Sequence, residues 1–249
     1  MAAASGPAKD SSRISGMFDA IAGRYDLLNH LLSAGLDTRW RKRAVAALEL
    51  TGQETVLDLC TGTADLALAT MTGRHRARRV IGVDFSRAML LVGKQKIGGA
   101  GIAGIHLIRG DATRIPLTDA IADAVTIGFG IRNVEQPAAA CREIVRVLRP
   151  GGRLVILEFS LPRASVLRNF YLWYFRRVLP SIGRYVSRHP TAYTYLPESV
   201  AAFPTPEEFS EALRGAGFGT VRAAPLAFGI VFMFVALKDR LPGPGAIID

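Results

Sequence analysis

Residues 56–66 read Val56-Leu57-Asp58-Leu59-Cys60-Thr61-Gly62-Thr63-Ala64-Asp65-Leu66: an apolar run with one acid inside it, a small hydroxyl-rich turn, then a helical pattern. A strand that feeds a tight turn at the start of a helix is where an open α/β sheet presents backbone to a ligand. Gly62 permits close backbone approach, and Thr63 offers a hydroxyl and an N–H beside the coming helix. A single glycine is too little to wrap a pyrophosphate, so the turn suits a different cofactor or none.

Working outward, further strands are expected at Val80 to Asp84, Ile105 to Arg109, Ala124 to Phe129 and Arg153 to Phe159, with the first running from Glu54 to Leu59. Helical patterns start near Ala64, Ser86 and Gln136, the last stopping at Arg149-Pro150-Gly151-Gly152. This alternation predicts a parallel sheet with helices on both faces. After a helix from Pro206 to Gly215, the apolar runs Thr220 to Ala227 and Ile230 to Leu237 meet at Phe228-Gly229 as a hairpin, so the sheet ends antiparallel. Residues 15–50 read as a helical cap over the carboxyl ends of the strands. The expected organisation is one domain over 15–240 that includes this cap and a helical insertion at 161–205, between disordered tails at 1–14 and 241–249.

The bulk properties narrow the class. A chain of 249 residues that is 49% hydrophobic can bury a sizeable core. Cys60 and Cys141 lie far apart without a His cluster, which suggests reduced thiols and neither a disulfide framework nor a zinc site. The small, polar start MAAASGPAKDSSRISG is no secretory signal, so a cytoplasmic location is expected. The longest apolar stretch, Ala223 to Leu237, is interrupted by Pro225 and Gly229 and is short for a hydrocarbon core of about 30 Å. A net charge of +10 would attract nucleic acid or an anionic membrane alike.

Polar groups gather at the strand ends. Asp84 closes the second strand, where an acid can accept both hydroxyls of an adenosine ribose, although it could also cap the next helix. Asp111 and Ala112 follow the third strand and would lie near an adenine; the acid could also be turn chemistry ahead of Pro116. Gly128-Phe129-Gly130 follows the fourth, where glycine again allows close approach. Each feature alone is commonplace. Their recurrence on successive strand ends points to a cofactor cradle.

With these residues in view, the chain resembles class I S-adenosylmethionine (SAM) dependent methyltransferases: VLDLCTGTADL, VIGVDFS, IRGDATRIPLTDAIADAVTIGFG and LRPGGRLVILEF match the successive motifs. MFDAIAGRYDLLNHLLSAGLDTRWR, FGIRNV and YTYLPESVAAFPTPEEF narrow the likeness to the ubiquinone/menaquinone biosynthesis C-methyltransferase family, over Met17 to Leu237. The resemblance implies a Rossmann-like fold, seven strands with the last reversed, and methyl transfer from SAM to a ring carbon of a polyprenylated hydroquinone, demethylmenaquinol first. Carried over residue by residue, it assigns SAM contacts to Thr63, Asp84, Asp111 and Ala112, to which the turn glycines Gly62 and Gly128 are added. Cys60 and Ala64 stand where relatives usually have glycine, and Gly128 where serine is frequent; a tighter or differently angled first turn is expected.

Ring carbon is a poor nucleophile until a neighbouring phenol ionises, which costs about 4 kcal/mol at pH 7 for a pKa near 10. Arg132 and Asn133, in the loop after the fourth strand, would lie beside the methyl donor, with Arg132 stabilising the phenolate as it forms. Arginine stays protonated in ordinary surroundings, so a literal general-base role would require an oriented water or unusual desolvation, and charge stabilisation with a positioned water is the expected arrangement. Tyr25, Asp26 and Asn29 of GRYDLLN fall in the cap, where they could hold the cofactor's methionine part or the ring hydroxyls, or could cap a helix and fill the lid.

A polyprenyl quinol has to be collected from a bilayer. Between Arg163 and Arg188 the chain holds six arginines and no acid. Leu167, Phe170, Tyr171, Tyr174 and Val178 fall on one helical face there, flanked by Arg168, Trp173, Arg176 and Arg177. That composition suits an anionic membrane surface; the same face would equally serve packing on its own domain or a homodimer. Nucleic acid is not the expected partner. The fourth strand lacks the Asn/Asp-Pro-Pro-aromatic turn of base amino-group methylation, and neither cysteine sits as a nucleophile for pyrimidine carbon. A nicotinamide oxidoreductase would need the glycine-rich turn that is missing here. A non-enzymatic binding module is the least expected rival, given the full set of strand-end polar groups.

Overall fold

A computed structural model describes residues 11–73, 75–162 and 191–240. The arginine-aromatic segment at 163–188, most of the insertion and nearly all of both tails lie outside these residues. The described chain begins with three helices, α1 (Ser11–Ile21), α2 (Tyr25–Leu32) and α3 (Leu36–Ala47). The alternating part follows as β1 (Thr55–Leu59), α4 (Asp65–Met71), β2 (Arg79–Asp84), α5 (Arg87–Ala100), β3 (Ile105–Arg109), β4 (Ala122–Gly128), α6 (Pro137–Val147) and β5 (Leu148–Phe159). Helices α7 (Thr191–Ala201) and α8 (Pro206–Ala216) then lead to β6 (Phe218–Leu226) and β7 (Val231–Lys238).

The strands form one sheet in the order β3-β2-β1-β4-β5-β7-β6. All neighbours are parallel except β7, which runs against both β5 and β6. The expected seven strands with a reversed last one are present. Because β1 is central and covered on both faces, all five of its residues are buried, which is why its sequence reads as a continuous apolar run instead of an alternating one.

Local chemistry sets the helix ends. The Ser86 hydroxyl accepts the Met89 N–H to start α5, and Gly101 in the left-handed region ends it. Thr205 and Glu208 form a reciprocal capping box on α8, with Pro206 at its first position. One feature differs from the sequence reading. The Arg149-Pro150-Gly151-Gly152 stop does not separate helix from strand: buried Leu148 already pairs with Ala122, and residues 149–152 bulge out opposite Asp123 before Arg153 pairs with Ala124.

Two apolar layers clamp the sheet. One packs Ala140, Cys141 and Ile144 of α6 and Phe209 and Leu213 of α8 against β4, β5 and β7. The other packs Trp40 and Ala44 of α3 and Leu66 and Ala67 of α4 against Val56, Val155 and Leu157. Helix α3 runs opposite to β5, since Arg153, where the strand resumes its pairing after the bulge, donates to the Ala47 carbonyl at the helix end (2.8 Å), while Trp40 meets Phe159 at the strand's carboxyl end. The start of α3, and α2 before it, therefore lie at the carboxyl end of the sheet.

Candidate active site

The β1 turn runs through the left-handed region at three positions, two of which carry a side chain. Cys60, Gly62 and Ala64 have φ of +55°, +55° and +66°. A side chain in the left-handed region costs about 1–2 kcal/mol per residue, so Cys60 and Ala64 hold strain that glycine would not. Cys60 also explains Gly130: a Cβ there would sit 2.4 Å from the Cys60 Cβ, so the β4 loop can close on this turn only without a side chain.

Beneath the turn, Asp58 is buried and accepts the hydroxyls of Thr61 (2.5 Å) and Thr126 (2.7 Å). Burial raises its pKa from 3.8 to about 6, partly offset by those hydroxyls. A folded pKa above the unfolded one means that the native state binds more protons between them, so this carboxyl contributes a fall in stability as pH rises from about 4 to 6. The loss is about 3 kcal/mol. Asp58→Asn, in which the rotatable hydroxyls can re-pair, is expected to remove that slope from urea titrations across this range; a slope unchanged from the parent would place the titration elsewhere.

Asp84 ties the turn to β2. Its carboxylate accepts the Gly62 N–H and the Ser86 N–H, each at 2.8 Å. The helix cap is Ser86, not Asp84. Burial raises the Asp84 pKa, and the two N–H groups oppose that shift. At the end of β3 the Asp111 carboxylate accepts the Thr113 N–H and hydroxyl (2.8 Å each), so the turn chemistry is real, while the residue stays exposed.

These groups border a cavity of about 150 Å³, measured as the space open to the centre of a water molecule. Of the expected site residues, Tyr25, Gly62, Asp84, Asp111, Ala112, Gly128 and Asn133 line it. Thr63, Asp26, Asn29 and Arg132 are not part of its wall. Thr63 is buried and donates to Asp26 (2.5 Å), which is ion-paired with Lys96 (2.6 Å); Lys96 also pairs with Asp65. These contacts hold the cap to α4 and α5. Asn29 hydrogen-bonds the Tyr25 side chain. Burial raises the Tyr25 pKa, against the influence of Asn29 and of the Arg132 charge, so Tyr25 is a neutral phenol at pH 7.

Arg132 lies behind the wall. It is buried, its Nη1 donates to fully buried Glu158 (2.6 Å) and to the Phe129 carbonyl (2.5 Å), and its guanidinium stacks over Phe159. Burial works against its charge, but Glu158 more than compensates, and its pKa lies above the ordinary arginine value. Glu158 also accepts the backbone N–H groups of Arg132 and Phe159, fixing the loop between them. Sequence reasoning missed Glu158, although an acid within the apolar run Leu154-Val155-Ile156-Leu157-Glu158-Phe159 is a signal in itself. It missed Tyr195 too, whose hydroxyl donates to Asn133 Oδ1 (3.0 Å) from within the quoted YTYLPESV stretch. Phe85, Met89 and Phe18 add apolar wall that the sequence reading did not single out, although Phe85 and Phe18 lie within the quoted motifs. Among the described residues no His, Cys, Asp and Glu cluster could hold a metal ion.

Acids at the ends of β2 and β3, a close-approach glycine after the neighbouring β1 and apolar side chains alongside suit the ribose, adenine and sulfonium parts of SAM. The sequence model of the ubiE/COQ5 methyltransferase family matches residues 7–238. The chain belongs to that family. It is 44% identical over 227 residues to the ubiquinone/menaquinone biosynthesis C-methyltransferase UbiE of Geobacter sulfurreducens, covering 91% of this chain and 88% of that protein. It is 45% identical to the demethylmenaquinone methyltransferase of Thermus thermophilus, covering 88% and 98%. In three dimensions this ubiE/COQ5 member is similar to a SAM-dependent methyltransferase from Thermotoga maritima, with TM-score 0.62, 19% identity and coverage of 91% and 100%. It is also similar to phosphoethanolamine N-methyltransferase 2 of Haemonchus contortus in complex with SAM, with TM-score 0.58, 16% identity and coverage of 80% and 52%. The fold is that of a class I SAM-dependent methyltransferase, and the chain is a SAM-dependent enzyme.

Proposed function

We propose that the carboxyl-end cavity holds SAM against Gly62, Asp84, Asp111, Ala112 and Gly128, and that the chain methylates a ring carbon of a polyprenylated hydroquinone. Demethylmenaquinol is the acceptor that the names of the relatives favour. The observation that carries this reading is one cavity lined both by the strand-end acids Asp84 and Asp111 and by the neutral donors Tyr25 and Asn133. When bound, SAM supplies an electrophilic methyl group. The chain's own task is to stabilise negative charge on a ring oxygen. Tyr25 is suited to donate a hydrogen bond to that oxygen, while Asn133, held by Tyr195 at Oδ1, is suited to donate from its amide nitrogen.

In this reading Arg132 acts through the wall, lending positive potential to Tyr25 and Asn133 without touching the acceptor. Thr63, Asp26 and Asn29 keep the cap seated and orient Tyr25. Neither thiol is available as a nucleophile at neutral pH, since burial pushes Cys60 well up and Cys141 to about 11. A peripheral position on the cytoplasmic face of the membrane goes with such an acceptor. No helix among the described residues is long and apolar enough to cross a bilayer. The expected result for Tyr25→Phe is a loss of kcat of about a hundredfold or more, with S-adenosylhomocysteine binding by calorimetry unchanged. Full turnover in both Tyr25→Phe and Asn133→Ala would remove this wall from the chemistry.

A further inference from the structure

Six large apolar side chains stand exposed among the described residues, and three of them crowd into one short stretch: Leu27 (54% exposed), Leu31 (48%) and Leu36 (36%). Leu27 and Leu31 share a face of α2, two residues on from Tyr25 in the cavity wall, and Leu36 opens α3 at the same end of the sheet. A fourth, Phe228, is 91% exposed at the β6–β7 turn. That turn also lies at the carboxyl end, because Val231 pairs with Phe159 and Ser160 donates to the Ile230 carbonyl. Ala227 and Ile230 pack in the same apolar layer as Trp40 of α3, so the hairpin tip and the start of α3 share one edge of the molecule.

The tip is built at a cost. Ala227 and Phe228 hold φ of +46° and +58°, a region that side chains avoid, and the outcome is an aromatic ring standing in solvent. The exposed charge of α3 has one sign. Arg39, Lys42 and Arg43 are exposed on α3, whereas the two acids of α2 and α3, Asp26 and Asp37, are engaged by Lys96 and Arg41. Two copies of such a basic face would repel each other; an anionic lipid surface would attract it.

We infer that this rim, formed by the α2–α3 turn and the β6–β7 turn, is the surface by which the protein sits on an anionic bilayer, with the mouth of the cavity facing the lipid. The inference rests on the polyprenyl acceptor proposed above and adds where that acceptor enters. Leu27, Leu31, Leu36 and Phe228 enter the headgroup boundary, and the α3 cations meet lipid phosphates.

The test is co-sedimentation of the full chain with vesicles of phosphatidylcholine alone or with phosphatidylglycerol. Binding to the anionic vesicles is expected to fall about tenfold for each of Leu31→Gln and Phe228→Ser. It should fall roughly a hundredfold for Arg39→Ala/Lys42→Ala/Arg43→Ala, with S-adenosylhomocysteine affinity unchanged in all three variants as the control for folding. Parental binding by these variants, no binding by the parent, or loss confined to Arg168→Ala/Arg176→Ala/Arg177→Ala would overturn the inference. So would a dimer in vesicle-free solution that dissociates on Phe228→Ser, since a second copy would then own the rim. Methyl transfer to a short-tailed quinol without vesicles keeps the two proposals apart. If the parent fails there while vesicle binding depends on the rim, the acceptor is wrong and the surface stands.

Discussion

Glu158→Ala is expected to lower the unfolding free energy by about 3–5 kcal/mol, because it leaves the Arg132 guanidinium buried without its carboxylate. Domains of this kind are stable by about 5–15 kcal/mol, so the loss is a large share of the total. Three donors lose an acceptor: Arg132 Nη1, the Arg132 N–H and the Phe159 N–H all point at this one side chain. In urea titrations the midpoint should drop with little change in slope. Glu158→Gln keeps an acceptor oxygen and should lose less. A shift below about 1 kcal/mol for the alanine variant would mean that Arg132 finds other support. The same geometry bears on any test of Arg132. Arg132→Ala strands Glu158 in the core, so loss of turnover in that variant alone cannot separate chemistry from folding, and Arg132→Met/Glu158→Gln is the cleaner probe.

Asp84→Ala is expected to weaken S-adenosylhomocysteine by about a hundredfold to ten-thousandfold. Two hydrogen bonds from ribose hydroxyls to an ionised carboxylate contribute about 3–6 kcal/mol together. The side chain also anchors the β1 turn through the Gly62 N–H, so the cradle loosens as it loses its acceptor. Asp84→Asn retains one oxygen and should sit between the two in calorimetry. Affinity within threefold of the parent for Asp84→Ala would show that the strand-end acid serves the turn and not the cofactor.

Much of this is legible in the sequence. The strand-turn-helix of residues 56–66, the acids at strand ends and the hairpin at Phe228-Gly229 are local patterns, and local patterns carry fold class well. What escaped was pairing across long stretches of chain. Thr63 reads as a cofactor ligand from its place beside the coming helix and from the family resemblance; the partner of its hydroxyl, Asp26, comes from the cap, far away in sequence. Arg132 looked like a group facing the substrate because Glu158, which neutralises it, follows only after another helix. Gly130 looked like a ligand-approach glycine, and its tightest constraint proves to be Cys60. The cysteine and alanine of the first turn did carry a readable warning. Both keep the backbone where glycine is at ease, and their side chains strain the turn without abolishing it.

The central claim is the transfer itself. The most direct measurement supplies the purified protein with methyl-labelled SAM and a quinone extract, reduced to quinols, from cells that lack the gene, with total RNA in a parallel reaction. Label on a ring carbon of the quinol, in a product one methylene heavier, is the predicted result. Label in RNA, or in neither while S-adenosylhomocysteine still binds, would contradict the account.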